Sequence, residues 1–203
     1  MAAHAPPEVI AAVGKEIGLL AEAAYGKNSP KVGASLPDFA LPDVHGKKVK
    51  LSELLAKGPV VLAFYRGGWC PFCNLQLRAY QKILPQIRSL GASLVAISPT
   101  TPDNSLSFAE KAELTFPVLS DVGNNVARAY GLTFKLSDGL QKLQSGFGNP
   151  IPKFNGDESW ELPVPATFVA DRHGVVRFAH FDPNWTKRVE PATILSALQA
   201  IQK

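Results

Sequence analysis

The sequence predicts an α/β fold: a central mixed β-sheet flanked by helices, with an extra helix at the N-terminus. Three observations lead to this prediction. Two continuous apolar runs, at 59–65 and 93–97, are rich in β-branched and aromatic residues, as strands buried on both faces are. Helical spacing over 71–89 separates them, which makes a right-handed βαβ unit with parallel strands. Near the C-terminus, strand-like runs at 166–170 and 175–180 precede a final helical stretch.

The first 58 residues add short elements before this unit. Residues 8–25 place apolar side chains three and four positions apart and stop at Gly26, which predicts a helix that docks on the main domain or on a second subunit. Residues 39–51 predict a short hairpin with its turn at 43–46. Ser52 then has the character of an N-cap for a single helical turn.

Further short elements are predicted between the βαβ unit and the C-terminal hairpin. Pro85 is expected to kink or shorten the helix at 71–89. A helix is predicted from 101 to about 113, a short strand at 117–120 and a second helix at 125–130.

The remaining segments complete the expected domain organisation. Residues 132–160 contain several glycines, two prolines and few periodic signals, and are predicted to be an irregular insertion. An amphipathic helix is predicted over 191–201. A βαβ half followed by a ββα half is the plan of a thioredoxin-like fold. The chain is therefore divided into an N-terminal helical extension (1–30) and a thioredoxin-fold domain (31–203) that contains the insertion.

Composition excludes several classes of protein. The chain has 203 residues, of which 46% are hydrophobic, and this fraction is too high for a disordered chain. Its net charge of +4 comes from 21 basic and 17 acidic residues scattered along the sequence, and the densest basic run, 47–50, has no accompanying aromatic platform, so no nucleic acid partner is expected. No run approaches the roughly 20 apolar residues of a membrane span. The start lacks a basic n-region, which predicts a cytoplasmic protein.

Two cysteines, Cys70 and Cys73, stand in the motif Trp-Cys-Pro-Phe-Cys. A disulfide between them would close almost no loop and would stabilise the fold little. A structural zinc site needs four ligands, and the four histidines show no ligand spacing, so no metal is expected. The pair therefore serves redox chemistry, or else the two residues are buried as small hydrophobes.

The position of the pair favours redox chemistry. Cys70 lies where a buried strand ends and a helix begins, and Pro71 suits the first helical position because its missing N–H would have no partner there. Unpaired backbone N–H groups and the helix dipole stabilise a thiolate at such a place, lowering a cysteine pKa from about 8.5 toward 3.5–7.5. The thiolate is the form that attacks disulfides and peroxides.

Four neighbouring residues are candidates for binding a substrate or partner: Arg66, Trp69, Pro71 and Pro165. Arg66 would supply positive potential to a thiolate or be a solvated loop residue. Trp69 would dock a partner or cap the core. Pro165 immediately precedes the strand at 166–170 and would face the helix start, either presenting its backbone to a substrate or simply initiating the strand.

From about residue 32 to 201 the chain resembles the peroxiredoxin superfamily, of the alkyl hydroperoxide reductase / thiol-specific antioxidant type. The resemblance rests on four stretches: Gly33-Ala-Ser-Leu-Pro-Asp-Phe39, Val60-Val-Leu-Ala-Phe-Tyr65, Phe116-Pro-Val-Leu-Ser-Asp121 and Ala166-Thr-Phe-Val. The form Arg66-Gly-Gly-Trp-Cys-Pro-Phe-Cys73 looks like the peroxiredoxin-like branch with a Cys-x-x-Cys motif. This resemblance implies an antioxidant thiol peroxidase that reduces hydroperoxides without a bound cofactor. Its disulfide would be reduced by a thioredoxin- or glutaredoxin-like donor.

The resemblance also bears on the roles of the two cysteines. Typical members carry Thr-x-x-Cys and an arginine shortly before the Ala-Thr-Phe strand. Aligned on this chain, the peroxide-attacking cysteine falls on Cys73, Cys70 replaces the threonine and Pro165 replaces the arginine. The family thus predicts that Cys73 attacks first. A thioredoxin-like interpretation instead makes Cys70 the nucleophile and Cys73 the resolving thiol.

Three functions follow from these observations. The first is a peroxidase that uses a Cys70/Cys73 dithiol–disulfide cycle. The second is a thiol–disulfide oxidoreductase without a useful peroxidase rate, which the missing threonine and arginine favour. The third is a redox-switched binding protein whose N-terminal helix and 132–160 insertion contact a partner. The apolar stripe of the N-terminal helix is compatible with a homodimer and equally with docking on its own domain.

Overall fold

The computed structural model describes residues 6–23 and 26–202, and its elements alternate between helices and short strands. In chain order they are α1 (Pro7–Glu22), β1 (Ala40–Pro42), β2 (Lys48–Lys50), α2 (Leu51–Leu55), β3 (Val60–Phe64), α3 (Pro71–Ser89), β4 (Ser93–Ser98), α4 (Pro102–Lys111), β5 (Val118–Ser120), α5 (Asn125–Ala129), β6 (Thr133–Lys135), α6 (Asp138–Gly146), α7 (Ile151–Asn155), β7 (Glu161–Pro163), β8 (Ala166–Ala170), β9 (Val176–Phe181) and α8 (Pro191–Ile201).

The predicted central mixed sheet is confirmed. Its five strands have the order β5-β4-β3-β8-β9, in which β3, β4 and β5 run parallel and β8 and β9 are antiparallel to their neighbours. All five residues of β3 are buried, as its continuous apolar run predicts. Val61 and Ala63 pack into the core on the α3 and α8 side, while Val60, Leu62 and Phe64 pack on the opposite side. The strand therefore contributes to both hydrophobic layers at once.

The candidate site residues lie at the end of the sheet where the parallel strands finish. Strands β3 and β4 end together there, with Phe64 opposite Ile97, and β8 begins there because Ala166 pairs with Phe64. The chain leaves β3 at this end of the sheet and turns into α3. In open α/β sheets the carboxyl ends of the strands are where ligands and substrates meet the protein.

The segment 132–160 is more regular than predicted. It contains β6, α6 and α7, and β6 pairs antiparallel with β7, which follows directly, with Phe134 opposite Leu162. The segment therefore has more regular structure than its sequence pattern indicates, and its status as an insertion stays a prediction. Its helices are short, and their apolar residues face one local cluster rather than a long periodic stripe. That third cluster consists of Leu20, Phe134, Leu136, Leu140, Ile151, Leu162, Val164 and Trp185.

The N-terminal helix α1 docks on this segment of its own chain. Leu20 is buried in the third cluster, and the buried carboxylate of Glu16 accepts a hydrogen bond of 3.1 Å from the backbone N–H of Ser137. The last two residues of the predicted helix, 24 and 25, lie outside the described residues. Of the two docking sites left open by the sequence, the structure shows the one within the chain.

Two local predictions differ from the structure. Helix α2 begins at Leu51 with Lys50 as its cap, not Ser52, because the carboxylate of Asp38 accepts from the Ser52 backbone N–H (3.1 Å) and replaces the side-chain cap. Pro85 does not shorten α3, which continues to Ser89. Pro85 faces solvent, where water can satisfy the carbonyl that the proline leaves unpaired. In the described part of the chain, no helix is both long and apolar enough to cross a membrane.

Candidate active site

The two cysteines lie in the first turn of α3. Cys70 is the N-cap residue, in an extended conformation (φ −86°, ψ 113°), and Pro71 occupies the first helical position as predicted. The chain reaches this point through Gly67, whose φ of +144° favours glycine. A Cβ at Gly67 would lie 2.4 Å from Nε1 of Trp69, so a side chain there would displace the indole. The tight approach of strand to helix thus depends on a residue without a side chain.

Both cysteines are free thiols, and both are buried, with 1% of Cys70 and none of Cys73 exposed. They are nevertheless within reach of each other, because the Cys73 side chain hydrogen-bonds to Cys70. The structure therefore represents the reduced pair, and the predicted disulfide is not observed.

The surroundings favour a thiolate at Cys70. The hydrogen bond from the Cys73 side chain, helped by the charge of Arg66 and by the backbone N–H of Cys73, outweighs burial and lowers the pKa of Cys70 to about 5. The N-cap position adds the positive end of the helix dipole. At neutral pH this sulfur is ionised and nucleophilic.

Cys73 has the opposite character. Complete burial and the negative charge of its neighbour raise the pKa of Cys73 well above its usual value. Two groups oppose this rise: the guanidinium of Arg188, whose Nη2 lies 3.6 Å from the Cys73 sulfur, and the backbone N–H of Arg66. The pair thus shares one proton, which resides on Cys73 while the negative charge resides on Cys70.

Arg66 is held between two aromatic rings. Its guanidinium carbon lies 4.9 Å from the centre of the Trp69 ring and 4.6 Å from that of Trp185. The residue is only 2% exposed, so the interpretation as a solvated loop residue was wrong. Burial lowers the pKa of Arg66, whereas the two cysteines and the carboxylate of Glu16 raise it. A buried cation beside a sulfur supplies the positive potential that a thiolate requires.

Comparison with known proteins places this arrangement in a family. Residues 32–179 match the AhpC/TSA family. The chain belongs to the AhpC/TSA family. The resemblance to peroxiredoxins and the thioredoxin-like fold that the sequence predicts are thereby confirmed.

Individual AhpC/TSA relatives extend the comparison. A chloroplastic peroxiredoxin Q of Sedum lineare is 32% identical over 148 residues, which is 73% of this chain and 67% of that protein. This chain spans only 58–59% of the length of four further chloroplastic peroxiredoxin Q proteins. The thiol-disulfide oxidoreductase ResA of Geobacillus thermodenitrificans is 28% identical over 152 residues, covering 74% of this chain and 70% of that one.

A solved structure shows the same fold. The crystal structure of peroxidoxin BcpB from Mycobacterium tuberculosis superposes with a TM-score of 0.68 at 27% identity, covering 86% of this chain and 99% of that one. The peroxiredoxin fold therefore includes almost all of BcpB and leaves about a seventh of the present chain unmatched.

In this AhpC/TSA chain, three side chains that influence the cysteine pair or Arg66 were not predicted from the sequence. Arg188 and Trp185 come from the segment between β9 and α8 and contact Cys73 and Arg66, respectively. Glu16 comes from α1, and its charge raises the pKa of Arg66 without forming an ion pair with it. The family alignment replaces the usual arginine with Pro165. The structure instead brings arginines to the pair from position 66 and position 188. Nothing in residue spacing points to position 188, because the contact is made between distant parts of the chain.

The other predicted site residues lie around the pair. Trp69 is half-buried, packs against two hydrophobic clusters and covers Arg66. Pro71 is exposed beside Cys70. Pro165 is buried at the same sheet edge, immediately before Ala166, and no cis peptide bond occurs within the described residues. Binding of a substrate or partner by these residues stays a prediction.

Within 6–23 and 26–202, no three His, Cys, Asp or Glu side chains are grouped so that they could hold a metal ion.

The charge distribution leads to a pH-dependent prediction. Thiolate absorbance near 240 nm should be present at pH 7 and should disappear as the pH falls through about 5, because Cys70 is then protonated. Cys73→Ala should move this midpoint upward, since it removes the hydrogen bond to Cys70, whereas Cys73→Ser should move it less because its hydroxyl still donates. The Cys70→Ser variant is the control and should show no absorbance step near pH 5.

Proposed function

We propose that this protein is an antioxidant thiol peroxidase that reduces hydrogen peroxide or organic hydroperoxides through a dithiol–disulfide cycle of Cys70 and Cys73. The observation that carries the proposal is the pair itself: an ionised thiol at a helix N-terminus in hydrogen-bond contact with a protonated thiol. Membership of the AhpC/TSA family and the peroxiredoxin Q relatives support the same activity.

The first chemical step uses the thiolate. The Cys70 sulfur attacks the terminal oxygen of the hydroperoxide, the O–O bond breaks, and Cys70 becomes a sulfenic acid. The remaining alkoxide or hydroxide takes a proton and leaves as an alcohol or as water. Arg66 stabilises the anionic charge at this point, because its buried guanidinium is preorganised beside Cys70. Two electrons have passed from sulfur to the peroxide.

The second step forms the disulfide. Cys73 loses its proton and attacks the Cys70 sulfur, so an S–S bond forms and the hydroxide of the sulfenic acid leaves as water. The Arg188 guanidinium, 3.6 Å from the Cys73 sulfur, favours the thiolate of Cys73 during this step. Loss of the charge on Cys70 in the first step removes one cause of the raised Cys73 pKa. The first reaction therefore prepares the second.

This order of events differs from the one that the family alignment predicts, in which Cys73 attacks. Three features support Cys70: its N-cap position, its lowered pKa and the complete burial of Cys73. A hydroperoxide also has a shorter path to Cys70, which adjoins the exposed Pro71 and the half-buried Trp69. Because Cys70 is itself almost unexposed, entry of the substrate requires a small displacement of side chains over the pair.

A second candidate function is thiol–disulfide exchange without peroxidase activity. The similarity to ResA favours it, as does the placement of Cys70 and Cys73 in a Cys-Pro-x-Cys motif at a helix start. Exchange needs the same nucleophile, so the electrostatics of the site do not separate the two functions. The rate of reaction with peroxide distinguishes the two functions.

The partners and the location belong to the same proposal. A thioredoxin- or glutaredoxin-like donor would reduce the disulfide, and a cytoplasmic location would keep such donors reduced. Pairing into a homodimer would use the outer face of α1, where Ile10 and Leu19 are 53% and 45% exposed. Equilibrium sedimentation of the wild type and of Ile10→Lys tests this pairing, since the variant should then sediment as a monomer.

Stopped-flow oxidation separates the candidate functions. Reduced protein mixed with hydrogen peroxide or cumene hydroperoxide should lose both thiols and form one intramolecular disulfide. The second-order rate should exceed that of the urea-unfolded chain, compared per thiolate, by at least about a hundredfold, the size expected from preorganised charges. A rate equal to that of the unfolded chain would overturn the peroxidase proposal. Reduction of insulin by the same protein would then favour thiol–disulfide exchange.

A further inference from the structure

A groove with both polar and apolar lining residues lies beside the cysteine pair and takes no part in the steps described above. It has a volume of about 540 Å³, within the range of small-molecule sites. Its lining comes from α3, α4 and α7 and from Gly68 and Trp69, which directly precede Cys70. The lining residues are Gly68, Trp69, Asn74, Arg78, Thr100, Asn104, Ser107, Phe108, Lys111 and Phe154.

The groove contains buried polar atoms without partners. Oγ1 of Thr100, Nε1 of Trp69 and Oδ1 of Asn74 are inaccessible to water, and within the described residues none has a hydrogen-bond partner. Thr100 is only 3% exposed. The Thr100 and Trp69 atoms converge on Gly67, where an added Cβ would lie 3.2 Å from the first and 2.4 Å from the second. Unsatisfied buried polar groups are costly. Because water does not reach these three atoms, they lie behind the surface of the groove and do not themselves bind its ligand.

The charge of the groove is positive. Arg78 and Lys111 are exposed on its wall, and the lining contains no carboxylate. One guanidinium N–H of Arg78 donates to the Lys111 carbonyl at 2.8 Å, which holds the two cations on the same side and leaves the other N–H groups of Arg78 available. A second groove differs in charge, because its lining includes the carboxylates of Asp43, Glu110 and Glu113. The groove beside the cysteines therefore favours an anion.

We propose that this groove binds a small peptide-like thiol that carries carboxylates, and that this molecule reduces the Cys70–Cys73 disulfide. The proposal rests on the proposed peroxidase cycle, which leaves that disulfide to be reduced. The carboxylates are bound by Arg78 and Lys111, and the amide groups by the polar side chains of Asn104 and Ser107 in the lining. Gly68 and Trp69 line the groove and directly precede Cys70, so the proposal places the thiol end of the ligand at this end of the groove.

A carboxylate-bearing alkyl hydroperoxide shares the anionic group but fits the lining less well. Asn74, Asn104 and Ser107 bring amide and hydroxyl groups to the lining, which suit peptide bonds better than a hydrocarbon chain. The aromatic residues of the lining are Trp69, Phe108 and Phe154. The observations therefore favour a peptide-like thiol, and the hydroperoxide is an outcome of the test.

The reduction balances with two molecules of this thiol. The thiolate of the first attacks the Cys70 sulfur, the bond between Cys70 and Cys73 breaks, and Cys73 leaves as a thiolate beside Arg188 before taking a proton. The thiolate of the second attacks the sulfur of the bound first molecule and releases Cys70. One disulfide of the small thiol is formed and two electrons reach the protein. Of the two protons lost by the thiols, one is taken up by Cys73 and the other is released to solvent, because Cys70 is freed as a thiolate.

Calorimetric titration with S-methylglutathione, which cannot react, tests binding to the reduced protein. The double variant Arg78→Gln/Lys111→Gln should weaken binding about tenfold or more, the equivalent of two charge-assisted hydrogen bonds. The matched control Arg172→Gln/Lys57→Gln removes two exposed cations elsewhere and should bind as the wild type does. Equal affinity in both double variants, or no binding to the wild type, would overturn the proposal.

Turnover measurements separate this inference from the peroxidase proposal. With glutathione as reductant and cumene hydroperoxide as the uncharged substrate, the KM for glutathione should rise about tenfold in Arg78→Gln/Lys111→Gln and stay unchanged in the control variant. Peroxidase activity with dithiothreitol but none with glutathione would refute the groove proposal alone. No activity with either reductant would refute the peroxidase cycle. A raised KM for a carboxylate hydroperoxide, with no change for glutathione, would assign the groove to the substrate instead.

Discussion

Replacing Cys70 with serine is expected to abolish peroxide reduction, whereas Cys73→Ser should still reduce one equivalent of peroxide and stop. The reason is the division of charge within the pair: Cys70 carries the negative charge, and Cys73 is protonated and fully buried. Without Cys70, only a thiol with a raised pKa remains, so the rate with hydrogen peroxide should fall by on the order of a thousandfold or more. Stopped-flow oxidation at pH 7 measures both rates.

Trapping of the intermediate identifies the attacking sulfur. Cys73→Ser treated with one equivalent of peroxide should react with dimedone at Cys70, and mass spectrometry of the peptide that contains residues 70–73 locates the label. Each variant retains one serine hydroxyl in place of a thiol, so the two are matched in size and polarity. Dimedone labelling of Cys73 in the Cys70→Ser variant, at a rate close to that of the wild type, would reverse the assignment and restore the order that the family alignment predicts.

Much of the fold could be predicted because its signals are local. The buried strands β3 and β4 are continuous apolar runs, the helix α3 shows regular spacing, and the motif from Trp69 to Cys73 marks a helix start by its proline. The stretch 132–160 was mispredicted because its short helices are stabilised by packing against α1 and Trp185. Such tertiary contacts override weak local patterns.

The candidate site likewise contains residues that the sequence predicts and residues that only the fold brings together. The cysteines, Pro71 and Trp69 lie in one short motif, and the sequence places them together. The charges that tune the pair do not lie in that motif. Arg188 is 115 residues from Cys73 along the chain, and Glu16, whose charge acts on Arg66, lies in the N-terminal helix. No spacing rule within one sequence connects such distant positions, so the fold was needed to find them.

Replacing Arg66 with methionine should lower the rate of peroxide reduction on the order of a hundredfold, the effect of removing one preorganised charge. Methionine preserves the length of the side chain between the rings of Trp69 and Trp185 and removes the cation that favours the Cys70 thiolate. The pKa of Cys70 should rise accordingly. Arg66→Lys retains a charge and should lose less, and Arg172→Met, an exposed arginine in the turn after β8, is the matched control.

The effect of Arg66→Met on the free energy of unfolding should depend on pH, and low pH should favour the variant over the wild type. Because the folded pKa of Cys70 is depressed to about 5, the stabilisation from pairing its thiolate with Arg66 is present above the unfolded pKa of about 8.5 and is lost as the pH falls through about 5. Below that pH, Arg66 is a buried cation whose Nε and Nη2 atoms have no hydrogen-bond partner among the described residues. Removing a buried charge that has lost its partner is favourable. Urea unfolding at pH 7 and pH 4.5 measures this effect. The free energy of unfolding of Arg66→Met should rise relative to that of the wild type as the pH falls. The same difference between the two proteins at both pH values would mean that Arg66 and Cys70 are not coupled.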